Sequence, residues 1–124
     1  MLHLSVMPMT LAVVRLEASA AIPNWGMKGS DFFSITRTRD ELSVVCLEED
    51  VPEGVKVEKG WRGFKVEGPL DFGMTGVLYS LAKPLAEAKI SIFAISTFDT
   101  DYLLVKKENL QKAAEVLSAF CKVT

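Results

Sequence analysis

The chain has 124 residues, of which 49% are hydrophobic and 24% are charged, and its formal net charge is −2. A chain of this length can bury about two thirds of its unfolded surface, which argues against a disordered chain and against a disulfide-stapled miniprotein. Two cysteines, one histidine and no run of basic residues argue against a protein-only metal centre, a histidine-assisted nucleophile and a nucleic-acid partner.

The first twelve residues predict neither a signal peptide nor a membrane span. They lack a basic leading region and are interrupted by Pro8. We therefore expect a cytoplasmic protein with no membrane partner, in which Cys46 and Cys121 stay reduced within apolar segments.

The first half of the chain has the period of two that is typical of strands. Pro23 predicts the first turn of a short helix, and the acidic stretch Glu48–Asp50 is typical of a solvated loop. The predicted strands are Leu11–Leu16, Phe33–Thr36, Leu42–Cys46 and Val55–Glu58.

The second half combines strands with two apolar helical stripes. Pro84 lies inside the first stripe, where its ring is expected to kink or divide the helix, with the Ser80 hydroxyl serving the freed carbonyl. The predicted elements are a strand Trp61–Val66, a helix Met74–Ala88, strands Ile90–Thr97 and Tyr102–Val105, and a helix Glu108–Cys121.

The order of elements predicts two versions of one βαββ module. Residues 1–60 would form an N-terminal module and residues 61–124 a C-terminal one. Each module is too short to bury both faces of its sheet alone, so we expect the two to pair their sheets or share helices. This repeat is inferred from element order only, since no identical residues were found to support it.

Three segments resemble a known family. The stretches Val66–Leu78 and Ile90–Val105 resemble the first strand, glycine-bearing loop and ligand-facing hairpin of ACT domains, in the branch shared with aspartokinase regulatory regions and the arginine-sensing CASTOR proteins. Phe32–Cys46 is similar to the partner module of small proteins in this branch. The whole chain therefore resembles a tandem ACT pair.

This resemblance implies an α+β, ferredoxin-like sandwich with antiparallel sheets and helices on one face. It also implies a non-catalytic sensor or regulatory protein that binds a free amino acid between modules and needs no cofactor. In CASTOR-like proteins the equivalent of this chain occurs twice, so a homodimer here would rebuild a four-module assembly. The regulated partner protein is not identified by the sequence.

One part of the candidate site is a glycine-bearing turn that opens a helix. Unpaired backbone N–H groups at such a helix start favour a carboxylate, and Gly73 and Gly76 allow close backbone approach. In the alternative reading, Asp71 only caps the helix and Gly73 only permits the turn. The candidate ligand-binding residues in this turn are Asp71, Phe72, Gly73, Met74, Thr75 and Gly76.

The other part lies on the predicted hairpin. Asp99 and Asp101 would face the same side of an extended strand and accept an ammonium or guanidinium group, whereas a turn at Asp99 would leave both carboxylates in solvent. The family resemblance implies that Asp101 is the stronger candidate. It adds four further ligand-binding residues on this hairpin: Ser91, Ile92, Thr97 and Phe98.

Three classes of function compete. An amino-acid-binding regulatory module leads, and a structural oligomerisation or interaction module with a vacant ligand site is the alternative. An enzyme is disfavoured because no acid–base pair lies beside a plausible nucleophile. A thermal-shift screen of free amino acids would separate the first two classes.

Overall fold

The structure is a computed structural model that describes residues 2–28, 31–68 and 75–124. None of the helices in these ranges is long and apolar enough to cross a membrane. The strands are β1 (His3–Val6), β2 (Leu11–Leu16), β3 (Ser34–Arg37), β4 (Leu42–Leu47), β5 (Lys56–Val66), β6 (Phe93–Ser96), β7 (Asp101–Lys106) and β8 (Lys122–Val123). The α-helices are α1 (Val77–Glu87) and α2 (Leu110–Ser118), and 3-10 turns cover Asn24–Met27, Glu48–Asp50 and Lys107–Asn109.

The chain divides into two compact units. The inserted unit is Met9–Trp61, and the terminal unit combines Met1–Pro8 with Arg62–Thr124. The sequence analysis instead placed residues 1–60 in the N-terminal module. The difference arises because β1 pairs with the second half of β5, at Leu4 opposite Val66, rather than with β2. The assignment of residues 1–60 and 61–124 to two ACT modules stays a prediction.

The inserted unit is an antiparallel sheet in the order β3, β4, β2 and the first half of β5. Alternation along β2 and β4 buries Val14, Leu42, Val44 and Cys46 in one core. The register of β2 and β5 shifts between Leu11 and Val13, and Gly60 takes a φ of 81° in the facing part of β5. Only glycine adopts that conformation without strain, so Gly60 permits a β-bulge.

The terminal unit has the strand order β6, β7, β5, β1 and β8. Leu81 and Leu85 of α1 and Ala113 and Leu117 of α2 pack in one core with the apolar side chains of the sheet. This confirms the predicted α+β fold. The pairs β1 with β5 and β6 with β7 are antiparallel, as expected, but at one edge β1 and β8 run parallel, with His3 opposite Lys122.

The two units contain the same hairpin turn. In the inserted unit the Thr38 N–H donates to the Glu41 carbonyl at 2.9 Å, and the Glu41 N–H donates to the Thr38 hydroxyl at 3.3 Å. In the terminal unit Thr97 and Thr100 make the same two bonds at 2.8 and 3.3 Å. Each turn joins the edge strand of its unit to the next strand, β3 to β4 and β6 to β7. The two units therefore share individual hydrogen bonds at this turn.

Pro84 neither divides α1 nor is served by Ser80 in the expected way. The helix runs through Pro84, and the Ser80 hydroxyl donates to the Val77 carbonyl at 2.7 Å. The proline removes one N–H donor, but Leu81 and Leu85 on either side of it are fully buried, and their packing favours one continuous helix.

Three further predictions of secondary structure differ from the structure. The predicted strands Val55–Glu58 and Trp61–Val66 are one strand, β5, because the Gly60 bulge keeps the backbone extended. The short strands β1 and β8 were missed, since they are defined by pairing between distant segments rather than by a local pattern. The acidic stretch Glu48–Asp50, predicted as a solvated loop, forms a 3-10 turn, and the Glu48 carboxylate accepts a bond from the Gly60 N–H at 2.7 Å.

Candidate functional site

The site is built on the turn between β6 and β7. The Thr97 N–H donates to the Thr100 carbonyl at 2.8 Å, and the Thr97 hydroxyl donates to the same oxygen at 3.1 Å. The Thr100 N–H donates back to the Thr97 hydroxyl at 3.3 Å. A threonine hydroxyl that bonds its own backbone in this way stabilises a tight turn, so Phe98 and Asp99 at its tip are held in fixed positions.

Thr100 connects this turn to the neighbouring strand. Its side chain is 5% exposed, and its hydroxyl donates to the Val66 carbonyl at 2.5 Å. Because a buried hydroxyl without a partner is costly, this bond fixes the distance between the turn and the end of β5.

A cavity of about 190 Å³ opens beside the turn. The residues that line it are Lys65, Gly68, Thr97, Asp99, Thr100 and Tyr102. Phe64 and Val66 point into the core, so the alternation of β5 puts Lys65 on the other face of the sheet. The cavity therefore has an ammonium group, a carboxylate and hydroxyl groups in its wall.

The lysine of this cavity is held by a short network. Lys65 Nζ lies 3.9 Å from Glu67 Oε1, and the Ser5 hydroxyl donates to Glu67 Oε2 at 2.6 Å. The lysine is about two-fifths exposed, so the pair is screened by water and adds little stability. Its main effect is to keep the ammonium group near the cavity.

The structure brings together only some of the predicted hairpin residues. Thr97 and Asp99 line the cavity, and Phe98, which is 80% exposed, lies on the turn between them. Asp101 is half-buried on β7 and accepts a hydrogen bond from the Ser96 hydroxyl at 2.6 Å. Asp101 is not among the residues that line this cavity, so the two carboxylates do not share it. Their roles in ligand binding stay predictions.

Ser91 and Ile92 lie elsewhere in the terminal unit. They line an open cavity of about 520 Å³ together with Ala82, Ala86, Lys89 and Ile90. Their predicted contact with a ligand is therefore not with the cavity beside the turn.

The predicted glycine-bearing turn is described only in part. Asp71, Phe72, Gly73 and Met74 lie outside the described residues. Thr75 and Gly76 are exposed at the start of α1, and Gly76 has a φ of 76°. A side chain at Gly76 would meet no atom within 4 Å, so glycine is favoured there by its backbone conformation rather than by close approach of a neighbour.

Lys65, Gly68, Thr100 and Tyr102 were missed by the sequence analysis. The alternation of β5 indicates that Lys65 faces away from the core, but it does not say which strand lies next to it. Because β7 pairs with β5, Tyr102 and Lys65 come to line the same cavity. The proximity of Tyr102 and Lys65 therefore depends on the pairing of two strands that are distant in the sequence.

The two thiols have no environment that would activate them. Burial, assisted by the charge of Asp50, raises the pKa of the Cys46 thiol to about 11, and burial also raises the pKa of Cys121. A thiol with a raised pKa is a poor nucleophile at neutral pH. Within the ranges that the structure describes, no group of three or more His, Cys, Asp or Glu side chains is arranged to hold a metal ion.

The chain is similar to known protein families and to curated relatives. The family model described as the ACT domain matches residues 56–119, and a separate N-terminal domain model matches residues 10–54. The chain is 41% identical over 109 residues to the cytosolic arginine sensor for mTORC1 subunit 1 of Bos taurus. That match covers 82% of this chain and 32% of the relative. The chain spans less than two thirds of the length of the curated relatives it matches.

Two solved structures share the fold. Protein Atu0741 from Agrobacterium tumefaciens superposes with a TM-score of 0.92 and 44% identity, over 99% of this chain and 92% of that one. The aspartate kinase of Clostridium acetobutylicum superposes with a TM-score of 0.69 over 93% of this chain and 33% of the kinase, at 12% identity, which shows likeness of fold alone.

The strand order, the paired helices and the hairpin beside the cavity define a ferredoxin-like α+β protein. The match over residues 56–119 identifies it further: the chain belongs to the ACT domain family.

Proposed function

We propose that this protein is a non-catalytic regulatory protein that binds a free amino acid in the cavity of the terminal unit. The observation that carries the proposal is the placement of Lys65 and Asp99 around one cavity of about 190 Å³. An amino acid carries one carboxylate and one ammonium group, and this wall offers a partner of opposite charge to each. The expectation that the ligand lies between modules stays a prediction.

The contacts follow from the chemistry of the wall. The Lys65 ammonium would donate to the carboxylate of the ligand, and the Asp99 carboxylate would accept from its ammonium group. The Thr97 hydroxyl donates its proton to the Thr100 carbonyl and can accept one further bond from the ligand, and the Tyr102 hydroxyl can donate or accept. The bond from Thr100 to Val66 fixes the turn before the ligand arrives, which lowers the ordering cost of binding.

The relatives support this class of function. The bovine relative is named as a cytosolic arginine sensor, and the ACT domain covers the half of this chain that contains the cavity. We extend from this relative a cytoplasmic location and a regulatory role through a partner protein. The identity of the amino acid is left to the experiment below.

Exposed apolar side chains favour a second candidate function, in which the protein is a structural interaction module with a vacant ligand site. Tyr79 on α1 is 66% exposed and Phe98 on the hairpin turn is 80% exposed. Large exposed aromatic residues are enriched at protein interfaces. We propose that the protein forms a homodimer in either case, so oligomeric state alone does not separate the two functions.

The test is a thermal-shift screen of the twenty amino acids, each added singly to the full chain. A ligand that binds only the folded state raises the apparent stability by RT ln(1 + [L]/Kd). We expect at least one amino acid to raise the melting temperature of the wild type. Asp99→Asn and Lys65→Met should abolish that rise, while Lys112→Gln, an exposed change on α2, should preserve it.

No shift with any amino acid, together with a dimer by sedimentation velocity, would favour the structural module. A shift that survives both cavity variants would place the ligand elsewhere and contradict the proposed site.

A further inference from the structure

The inserted unit has a cavity of its own. It measures about 160 Å³, and charged and polar residues in its wall include Arg15, Glu41, Ser43, Lys56 and Glu58. Arg15 of β2 lies opposite Ser43 on β4 and opposite Lys56 on β5. The cavity therefore lies on the sheet of this unit, across three adjacent strands.

This cavity shares three corresponding wall positions with the cavity beside Thr97. Arg15 lies 3.9 Å from Glu17, as Lys65 lies 3.9 Å from Glu67, and each pair stands at the end of the strand next to the hairpin. Aligning the two turns also gives the corresponding residues on the strands that follow them. Glu41 takes the place of Thr100, and Ser43 takes the place of Tyr102.

The two cavities differ in charge. Lys56 lies opposite Arg15, whereas Ser5 lies opposite Lys65, so the inserted unit brings two cations together on adjacent strands. Like charges directly opposite each other in a sheet are unfavourable unless another group compensates them. Glu58 is two residues from Lys56 on the same strand, so the wall contains carboxylates as well as cations.

The guanidinium of Arg15 is held at the edge of this cavity. It donates to the backbone carbonyl of Asp40 at 2.8 Å, within the hairpin turn. A planar guanidinium positioned by this bond and by the nearby Glu17 carboxylate presents its remaining donors in a defined direction, which suits the recognition of a carboxylate.

We propose that the inserted unit contains a second ligand site, in which Arg15 and Lys56 bind the carboxylate of a free amino acid and Glu41 and Glu58 bind its ammonium group. Ser43 lies in the same wall and can complete the contacts. This inference rests on the proposed function, because it assigns the same class of ligand to the equivalent cavity of the other unit.

The experiment is a two-dimensional NMR titration of the full ¹⁵N-labelled chain. L-glutamate, L-lysine and L-leucine serve as probes because their side chains are acidic, basic and apolar. At least one probe should shift two separate groups of amides, one around Ser43 and Lys56 and one around Thr97 and Asp99. Lys56→Gln should weaken binding at the first group about tenfold, as expected for a lost charge-assisted bond, and leave the second within about twofold.

Asp99→Asn should have the opposite pattern, and Lys28→Gln, an exposed change outside the cavity, should affect neither group. Shifts confined to the group around Thr97, unchanged in Lys56→Gln, would overturn the second site and leave the proposed function intact. Shifts confined to the group around Ser43 would support the second site and contradict the site proposed for the terminal unit. The absence of shifts with all three probes would overturn the second site, and the twenty-amino-acid screen would then decide the proposed function separately.

Discussion

The hydroxyl of Thr100 donates to the backbone carbonyl of Val66 at 2.5 Å, across a gap of many residues in sequence. Thr100→Val keeps the shape of the side chain but leaves this buried carbonyl without its partner. We expect the free energy of unfolding to fall by about 1–3 kcal/mol, the usual cost of an unsatisfied buried group. Urea denaturation followed by circular dichroism measures this change.

The matched control is Thr36→Val on β3, where the threonine is exposed. That change should alter the free energy of unfolding by less than about 0.5 kcal/mol. Equal effects of the two substitutions would show that the bond to Val66 does not stabilise the turn.

Asp101 permits a direct test of the family resemblance. Asp101→Asn removes the charge but keeps an acceptor oxygen for the Ser96 hydroxyl, so the hairpin should fold. If Asp101 binds the cationic group of the ligand, affinity should weaken by about 1.5–3 kcal/mol, the range of a charge-assisted hydrogen bond. Calorimetric titration of wild type and variant with the amino acid identified by thermal shift measures this loss.

Ser96→Ala removes the hydrogen bond between Ser96 and Asp101 but retains the charge of Asp101. It should therefore leave the affinity for the amino acid within about 0.5 kcal/mol of the wild type. A lower melting temperature with unchanged affinity in Asp101→Asn would assign Asp101 to the hairpin alone.

Lys89, two residues after the end of α1, has a backbone conformation that favours glycine. Its φ is 62°, and the N–H groups of Lys89 and Ile90 donate to the carbonyls of Ala86 and Leu85, both at 2.9 Å. These two bonds form a Schellman motif, in which glycine usually occupies the left-handed position. Lys89→Gly should therefore stabilise the protein by about 0.5–1 kcal/mol, measured by chemical denaturation.

Two variants separate the backbone from the charge. Lys89→Ala removes the ammonium group and keeps the strain, so it should not stabilise the protein. Ala88→Gly, at a φ of −84°, should destabilise it, because the native residue is unstrained there. A gain of stability in Lys89→Ala would show that the charge, not the φ angle, is unfavourable.

The raised pKa of the Cys46 thiol predicts that the protein becomes less stable in alkaline solution. Its pKa rises from 9.0 to about 11 on folding, so between these values the unfolded chain has released the thiol proton and the folded chain has not. Stability is therefore complete below pH 9 and falls as the pH rises toward 11. Removal of the thiol in Cys46→Ala should flatten this part of the profile, by on the order of 2 kcal/mol.

At neutral pH the same variant should be less stable by about 1 kcal/mol through lost packing, so the two curves should approach each other and cross as the pH rises. Denaturation of both proteins between pH 7 and pH 11, a range that includes the interval from the ordinary to the raised pKa, locates the crossing. Parallel curves would show that the thiol does not titrate differently in the folded and unfolded states.

Local patterns predicted the elements that bury one face. Leu11–Leu16 was predicted with the bounds that it has in the structure, and the stripes of α1 and α2 identified Leu81 and Leu117 as core residues. These elements were predictable because alternation and helical spacing are properties of neighbouring residues. The hairpin turns followed from the same reasoning.

Pairing between distant segments was not predictable in this way. β8 is only two residues long and is defined by its hydrogen bonds to β1. The cavity depends on the same kind of information, since Lys65 and Tyr102 come from strands that a helix and a third strand separate in sequence. The matching turn bonds were also not predictable from residue identity, because they are formed by Glu41 in one unit and Thr100 in the other.

The pairing of β1 with β8 constrains how the chain folds during synthesis. Thr124 donates its N–H to the Leu4 carbonyl at 2.9 Å, so one edge of β1 stays unpaired until β8, which follows α2 in the chain, has been synthesised. All residues of the inserted unit leave the ribosome before α1, β7 and α2 are complete. The inserted unit can therefore gain structure early, and β1 can pair with β5 once that unit has been made. The other edge of β1 pairs with β8 only after a much longer loop closes, at a larger cost in entropy.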